Sequence, residues 1–271
     1  MLPTEIASSP WASRVGAALA AVHSAGAGLM QLRGAVRGEE AGGGQLKTST
    51  DLAAEGWVLG FLEGTFPDEI FLAEERFERT GHGWTAQQSY WTIDALDGTR
   101  SYVDGYDGFC VQVAFVDHGQ PVVAAIAEPV SGTAYVAAAG AGAWHIARSG
   151  SRRLTIAPAT ALAPGARFVD STVPAGRPGE LFHRLGGAFV ECGSVGLKIC
   201  RVVEGAADVY AKQFRYKLWD VAPGELLLRE AGGMLSSWNG TRIDYGAATT
   251  HFDTLLAAGA GIHAELVREL R

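Results

Sequence analysis

The sequence predicts a mixed α/β protein, α+β in its first half and alternating α/β in its second. Three observations carry that prediction. Residues 109–140 hold three apolar runs, FCVQVAFVD, PVVAAIAEP and AYVAAAG, separated by HGQ and SGT. Connections this short join antiparallel neighbours, so the runs read as a meander. Beyond about residue 160, runs of strand length alternate with helical spacing instead. Acidic residues also stand at the ends of strands or the starts of helices: Asp51, Glu74–Glu75, Asp94 with Asp97, and Asp220.

From Thr4 to about Arg33, Ile6, Val15, Leu19, Val22, Leu29 and Leu32 recur at helical spacing, which predicts one long helix beginning near Pro3. The Gly-rich stretch GEEAGGG (38–44) ends it as a flexible loop. Asp51 is expected to N-cap a second helix running to about Leu62, closed by Gly64 and Pro67. DEIFLAEE (68–75) reads as a short strand entering two glutamates, and SYWTIDALDGT (89–99) as a strand ending in carboxylates and a glycine. The meander follows, with two more short strands within 143–156. In the second half, ARFVD (166–170) and AFVECGS (188–194) read as strands flanking a helix near 178–185. A helix over 195–204, a strand over 207–211 and a helix from Trp219 to Ala231 come next. The strands MLSSW and TLLAAGA and a short helix close the chain. A boundary falls near ARSGSRR (147–153), dividing lobes 1–150 and 151–271 of a single functional unit.

The 271 residues suffice for a sizeable core, and 48% apolar against 19% charged residues is ordinary globular composition. The net charge of −7 argues against nucleic-acid polymers and anionic membranes, which are bound through dense Lys and Arg. Cys110, Cys192 and Cys200 form no tight pair, so a reducing cytoplasm is expected rather than a disulfide framework or zinc site. The start lacks a basic signal-peptide region, and His23 with several small residues interrupts the apolar run after it, so no membrane span is expected.

Ionised carboxylates at the ends of apolar strands are costly unless a cation neutralises them. A set of hard oxygen donors without His or Cys suits Mg²⁺, with Mn²⁺ as the alternative, or Ca²⁺, rather than zinc. IDALDGT is the most informative segment. Asp94 and Asp97 can bend toward one metal pair, Gly98 allows a tight turn, and the amides of Gly98 and Thr99 open a helix that can cradle phosphate. Metal carboxylates followed directly by an anion cradle are what a metal-assisted phosphatase requires. Taken singly, each acid is better explained as a cap or a solvated strand end; their joint occurrence in this order is the signal.

LKTSTDLAAE (46–55), FLAEE (71–75), WTIDALDGTRSYVDG (91–105) and WDVAPGELLLREAGG (219–233) resemble the signature blocks of the inositol monophosphatase superfamily, from about residue 5 to the C-terminus. The resemblance implies a layered αβαβα sandwich and a Mg²⁺-dependent, lithium-sensitive phosphatase, often dimeric in this family. It implies that Glu74, Asp94 and the carbonyl of Leu96 hold a first ion, and that Asp94, Asp97 and Asp220 hold a second. Glu74 is further implied in a third, weaker ion or its water. Thr99, hydrogen-bonded to Asp51, would orient and activate the water that attacks phosphorus in line, and the Gly98 and Thr99 amides would bind the phosphate. Ala73, Ala95 and Pro223 depart from the usual pattern, but none of them removes a side-chain ligand.

The resemblance also places GSVGLKICRVVEGAADVYAKQ (193–213) at the leaving group, beginning with Gly193 and Ser194. Where inositol monophosphatases carry a hydroxyl-binding acid after the Asp-x-Tyr strand, this chain has Lys212 or Gln213. Lys198, within GLKIC, resembles the lysine of the bisphosphate nucleotidases. With Lys212, Arg215 and Lys217 it is expected to meet a second phosphate, although these side chains also fit a solvated basic loop. The expected substrate is 3′-phosphoadenosine 5′-phosphate, with inositol 1-phosphate as the alternative. Two readings from other classes are weaker. A Ca²⁺-stabilised structural protein needs no Thr99, and AGAGAW (139–144) lacks the full Gly pattern and helix of a dinucleotide site. Bound divalent cations reverse the local sign of the acids, so the overall negative charge does not exclude a small phosphate ester.

Overall fold

The computed structural model describes residues 2–34, 39–40, 46–80, 89–158, 161–247 and 249–271. In chain order the elements are α1 (Thr4–Ala7), α2 (Ala12–Leu32), β1 (Glu39–Glu40), β2 (Leu46–Lys47), α3 (Ser49–Thr65), β3 (Phe71–Ala73), α4 (Glu74–Thr80), β4 (Ser89–Asp97) and α5 (Thr99–Val103). The meander and its extension are β5 (Cys110–Asp117), β6 (Gln120–Glu128), β7 (Thr133–Ala138), β8 (Gly142–Ala147) and β9 (Gly150–Leu154). Then come β10 (Arg167–Asp170), α6 (Gly176–Arg184), β11 (Ala188–Glu191), α7 (Val195–Val203), β12 (Val209–Lys217), α8 (Leu218–Glu230), β13 (Gly233–Ser236), β14 (His251–Gly259) and α9 (Ala260–Leu270).

Two sheets organise the molecule. The first has seven strands in the order β3-β4-β5-β6-β7-β8-β9, antiparallel except for the β3–β4 edge. The second has five, β11-β10-β12-β14-β13, with β10 parallel to both its neighbours. α2 and α3 cover one face of the first sheet, burying Val15, Val22, Leu29, Val58 and Leu62 against Val113, Val123 and Val136. α7 and α8 lie between the sheets, where Leu197, Trp219 and Leu227 share a core with Ala114, Ile126, Tyr210 and Leu255. α6 and α9 cover the outer face of the second sheet through Leu181, Leu266 and Val267. The result is an αβαβα sandwich. A helix buried on both sides must be apolar nearly all round, and α8 buries Leu218, Trp219, Val221, Ala222, Leu226, Leu227 and Leu228.

Several expectations are corrected. The predicted long N-terminal helix is two helices, because Pro10 has no N–H to donate and its ring obstructs a continuous helix. Ser9 bridges the break, its hydroxyl donating to the Ile6 carbonyl at 2.8 Å and accepting from the Trp11 amide at 3.3 Å. α2 has the length and apolar composition of a membrane span, as the core helix of a folded domain also can. In this fold its apolar side packs on α3 and the first sheet. Most of the Gly-rich stretch 38–44 lies outside the described residues; Glu39–Glu40 pairs antiparallel with Leu46–Lys47. Thr48, not Asp51, caps α3, and Asp51 occupies the third helical position. The two-residue turn at Arg148 and Ser149 joins β8 to β9, so the first sheet extends past residue 150.

Candidate active site

Asp94 and Asp97 are three residues apart on β4, a spacing that puts side chains on opposite faces of a regular strand. The register between β4 and β5 shifts between these two residues: Asp94 faces Gln112, whereas Asp97 faces Cys110. The extra residue on β4 is a bulge, which re-aims the chain and lets both carboxylates serve one site. Gly98 follows at φ +93°, and a Cβ there would lie 2.5 Å from the Gly108 carbonyl oxygen and 3.2 Å from the Ser194 Cβ. Gly98→Ala is therefore expected to destabilise the fold by about 2–4 kcal/mol, read as a lower unfolding midpoint in urea at unchanged slope.

Glu74 opens α4 directly after β3, and Asp220 lies in the first turn of α8, where its Oδ2 accepts the Lys217 amide at 2.8 Å. Carboxylate oxygens of Glu74, Asp94 and Asp220 lie within 4.8 Å of one another. Asp94 is buried, and burial together with Glu74, Asp97 and Asp220 holds its carboxyl well above the usual range. Asp220 is pushed up to about 8 by burial and by Asp97. Asp97 stands outside the group of three. Its Oδ2 accepts Ser194 Oγ at 2.8 Å, the Gly196 amide at 2.7 Å and Gln112 Nε2 at 3.2 Å. These donors offset part of the burial that raises its pKa.

Converging carboxylates at the edge of a core, one buried and two half-buried, are unstable as a set of anions, and a divalent cation resolves the conflict. The donor set is all oxygen. The nearest sulfur, Cys110 Sγ, is 3.8 Å from Asp97 Oδ2, and burial pushes that thiol well up, so it stays protonated. The residues therefore fit Mg²⁺ or Mn²⁺ better than zinc.

Thr99 begins α5, and its hydroxyl donates to Asp51 Oδ1 at 2.8 Å, with the Leu96 carbonyl oxygen 3.2 Å away. Asp51 Oδ2 accepts the amide and hydroxyl of Thr48 at 2.8 and 2.6 Å. Burial raises the Asp51 pKa more than these donors lower it.

Two positioning residues escaped the sequence reading. Glu55, buried on α3, accepts the amides of Glu75 and Arg76 at 2.6 and 2.9 Å, fixing the first turn of α4 and with it Glu74. A carboxylate at a helix N-terminus is favourable, and Glu55 falls one turn after Asp51 on α3. Gln112, fully buried mid-strand, donates to both Asp97 and the Asp220 carbonyl and so ties the first sheet to α8.

The residues expected on the substrate side mostly engage other groups of the protein. Ser194 is fully buried, N-caps α7 by accepting the Leu197 amide at 2.9 Å, and donates to Asp97. Its hydroxyl is thus committed to the protein. Gly193 packs so closely that a Cβ would collide with Ser101 Oγ and the Gly108 carbonyl. Lys198 is buried and paired with Asp170 Oδ1 at 3.1 Å; Lys212, half-buried, donates to the same oxygen at 2.8 Å. Asp170, which no sequence motif singles out, holds both lysines. Lys217 pairs with Glu78 at 3.7 Å, and Arg215 lies 3.4 Å from His251. Two cavities are lined by residues from the predicted substrate side and by none of the four acids. One of about 640 Å³ is lined by Asp170, Lys212 and Trp238, and one of about 490 Å³ by Arg100, Ser101 and Gly193.

The sequence matches the model of the inositol monophosphatase family over residues 11–271. It is 29% identical over 201 residues to the 3′(2′),5′-bisphosphate nucleotidase CysQ of Escherichia coli, covering 73% of this chain and 78% of the relative. It is 31% identical over 213 residues to the Nus factor SuhB of the same organism, covering 76% and 77%. The inositol monophosphatase structure from Anabaena superposes with a TM-score of 0.76 at 26% identity, covering 97% of this chain and 96% of that one. The described fold, its carboxylate cluster and a match over nearly the whole length agree: this chain belongs to the inositol monophosphatase family.

Proposed function

We propose that the protein is a Mg²⁺-dependent phosphomonoesterase of small phosphorylated metabolites. The observation that supports this is the convergence of Glu74, Asp94 and Asp220 in a fold that also supplies the Thr99–Asp51 hydrogen bond. Glu74, Asp94, Asp97, Asp220 and the Leu96 carbonyl would hold the ions, two or three in number. When bound, a divalent cation supplies Lewis-acid stabilisation of phosphoryl charge and lowers the pKa of water.

The chain's own groups move the proton and place the ester. With its hydrogen directed at Asp51, the Thr99 oxygen keeps lone pairs to accept a proton from the attacking water. Asp51, made more basic by burial, receives the Thr99 proton in turn. The amides at Gly98 and Thr99 face the phosphate at the start of α5. Water oxygen forms the new P–O bond, the bond to the alkoxide breaks, the leaving alkoxide takes a proton from solvent water, and Asp51 returns its proton to solvent.

Because some relatives are named 3′(2′),5′-bisphosphate nucleotidase, 3′-phosphoadenosine 5′-phosphate is the first ester to test. The engagement of Lys198 and Lys212 by Asp170 favours the second reading, a polyol monoester such as inositol 1-phosphate. The test is inorganic phosphate release from both esters and from p-nitrophenyl phosphate. We expect release that requires Mg²⁺, stops with EDTA and falls with Li⁺. No release from any of the three, or release indifferent to EDTA, overturns the proposal.

A further inference from the structure

β10 runs parallel to β12 with Phe168 opposite Val209, which brings Asp170 level with the Ala211–Lys212 step. The hydrogen bonds described for the Asp170 carboxylate converge on Oδ1: from the Ser171 amide at 2.7 Å, the Ser171 hydroxyl at 3.4 Å, Lys212 Nζ at 2.8 Å and, as an ion pair, Lys198 Nζ at 3.1 Å. The side chain is only 6% exposed, yet it lines the cavity of about 640 Å³ together with Lys212. A carboxylate between two ammonium groups stays charged: burial alone would raise its pKa, but the two lysines outweigh burial and lower it.

Lys198 links this pair to the reaction centre, because α7, which carries it, also donates to Asp97 through the Ser194 hydroxyl and the Gly196 amide. Along the wall of the cavity itself the acids Asp170 and Glu180 offset the bases Lys212 and Arg177. What the wall offers the cavity is an ammonium and a carboxylate side by side, with little surplus positive charge. Hydroxyl groups donate to one and accept from the other. A second phosphate must detach Lys212 from Asp170 and then lie beside a carboxylate that cannot move away. The hydroxyl-binding acid that the sequence lacks after the Asp-x-Tyr strand is thus supplied from the neighbouring strand.

We propose that Asp170 is a specificity-determining residue, holding Lys212 so that the pocket accepts leaving groups carrying hydroxyls and rejects those carrying a second phosphate. The proposal rests on the phosphatase reading above. The experiment compares kcat/KM for inositol 1-phosphate and 3′-phosphoadenosine 5′-phosphate at fixed Mg²⁺, each relative to p-nitrophenyl phosphate. In wild type the inositol ester is expected to lead. Asp170→Asn keeps the side-chain shape but releases the lysines, and should move the ratio at least about tenfold toward the bisphosphate. Adding Lys212→Gln to that variant should cancel the shift. A ratio unchanged within about twofold in Asp170→Asn overturns the proposal.

Should Asp170→Asn not fold, Lys212→Gln alone decides. It should lower the inositol ester's relative kcat/KM more than the bisphosphate's. The opposite order means that Lys212 was free to bind a second phosphate, and overturns the proposal. If none of the three esters is hydrolysed, the phosphatase reading fails separately. Calorimetric binding of the same two ligands to wild type and Asp170→Asn then tests Asp170 by itself, the same reversal of preference being expected and its absence counting against the proposal.

Discussion

Asp94→Asn should lower the turnover of every phosphate ester the protein accepts by at least about a thousandfold, the several kcal/mol that Lewis-acid stabilisation supplies. Asp94 lies nearest the centre of the site, buried at 3% exposure with Glu74, Asp97 and Asp220 all acting on its charge. The same substitution should raise the melting temperature of the chelated protein. The sign follows from linkage. A carboxyl whose folded pKa lies above its unfolded value costs stability as pH rises past the unfolded value, and the full penalty is reached above the folded one. At neutral pH the ion-free wild type therefore carries a charge conflict that asparagine removes. Adding Mg²⁺ should stabilise wild type strongly and the variant weakly. The pair of measurements is thermal unfolding with EDTA or Mg²⁺, beside phosphate release. A variant that keeps wild-type turnover, or that melts lower than wild type in EDTA, contradicts this account of the cluster.

Thr99→Val should reduce kcat by roughly 10²–10⁴-fold with a much smaller change in KM, because it removes the hydroxyl that passes a proton to Asp51 while keeping the side-chain volume. Thr99→Ser should restore most of the loss. Asp51→Asn should cost a similar factor, and the double variant little more than either single one, as expected of groups that act as one unit. Separate multiplicative losses would dissolve the relay. Serine failing to rescue would point to packing of the threonine methyl instead.

The site was more legible than its supports. Asp94, Asp97 and Gly98 announce themselves because a strand ending in acids and a glycine has few structural uses, and the meander after them follows from short turns between apolar runs. The capping of α3 was also present in the sequence. Thr48 and Asp51 have the spacing of a reciprocal cap, with Thr48 as the N-cap and Asp51 at the third helical position. The N-terminal break needed only Pro10 to be weighed against otherwise helical spacing. Asp170 is different. Its meaning comes from Lys198 and Lys212, which reach it through the parallel pairing of β10 with β12 and the stacking of α7 on that sheet. Such non-local pairing leaves no periodic trace in the chain. β12 ran to Lys217 rather than stopping at Ala211 for the same reason: β14, far downstream, provides its hydrogen bonds.

α8 lies between the two sheets and carries Asp220, while Glu74 and Asp94 belong to the edge of the first. An ion gripped by all three would act as a removable crosslink across slightly more than half the polypeptide. Its presence restricts the unfolded chain only if the grip survives there, which a scattered set of acids does not allow. The crosslink therefore strengthens the native state alone, and it does so at the seam between layers. Hydrogen exchange should show this as slower global opening of α8 and both sheets together, leaving the outer pair α6 and α9 to fray as before.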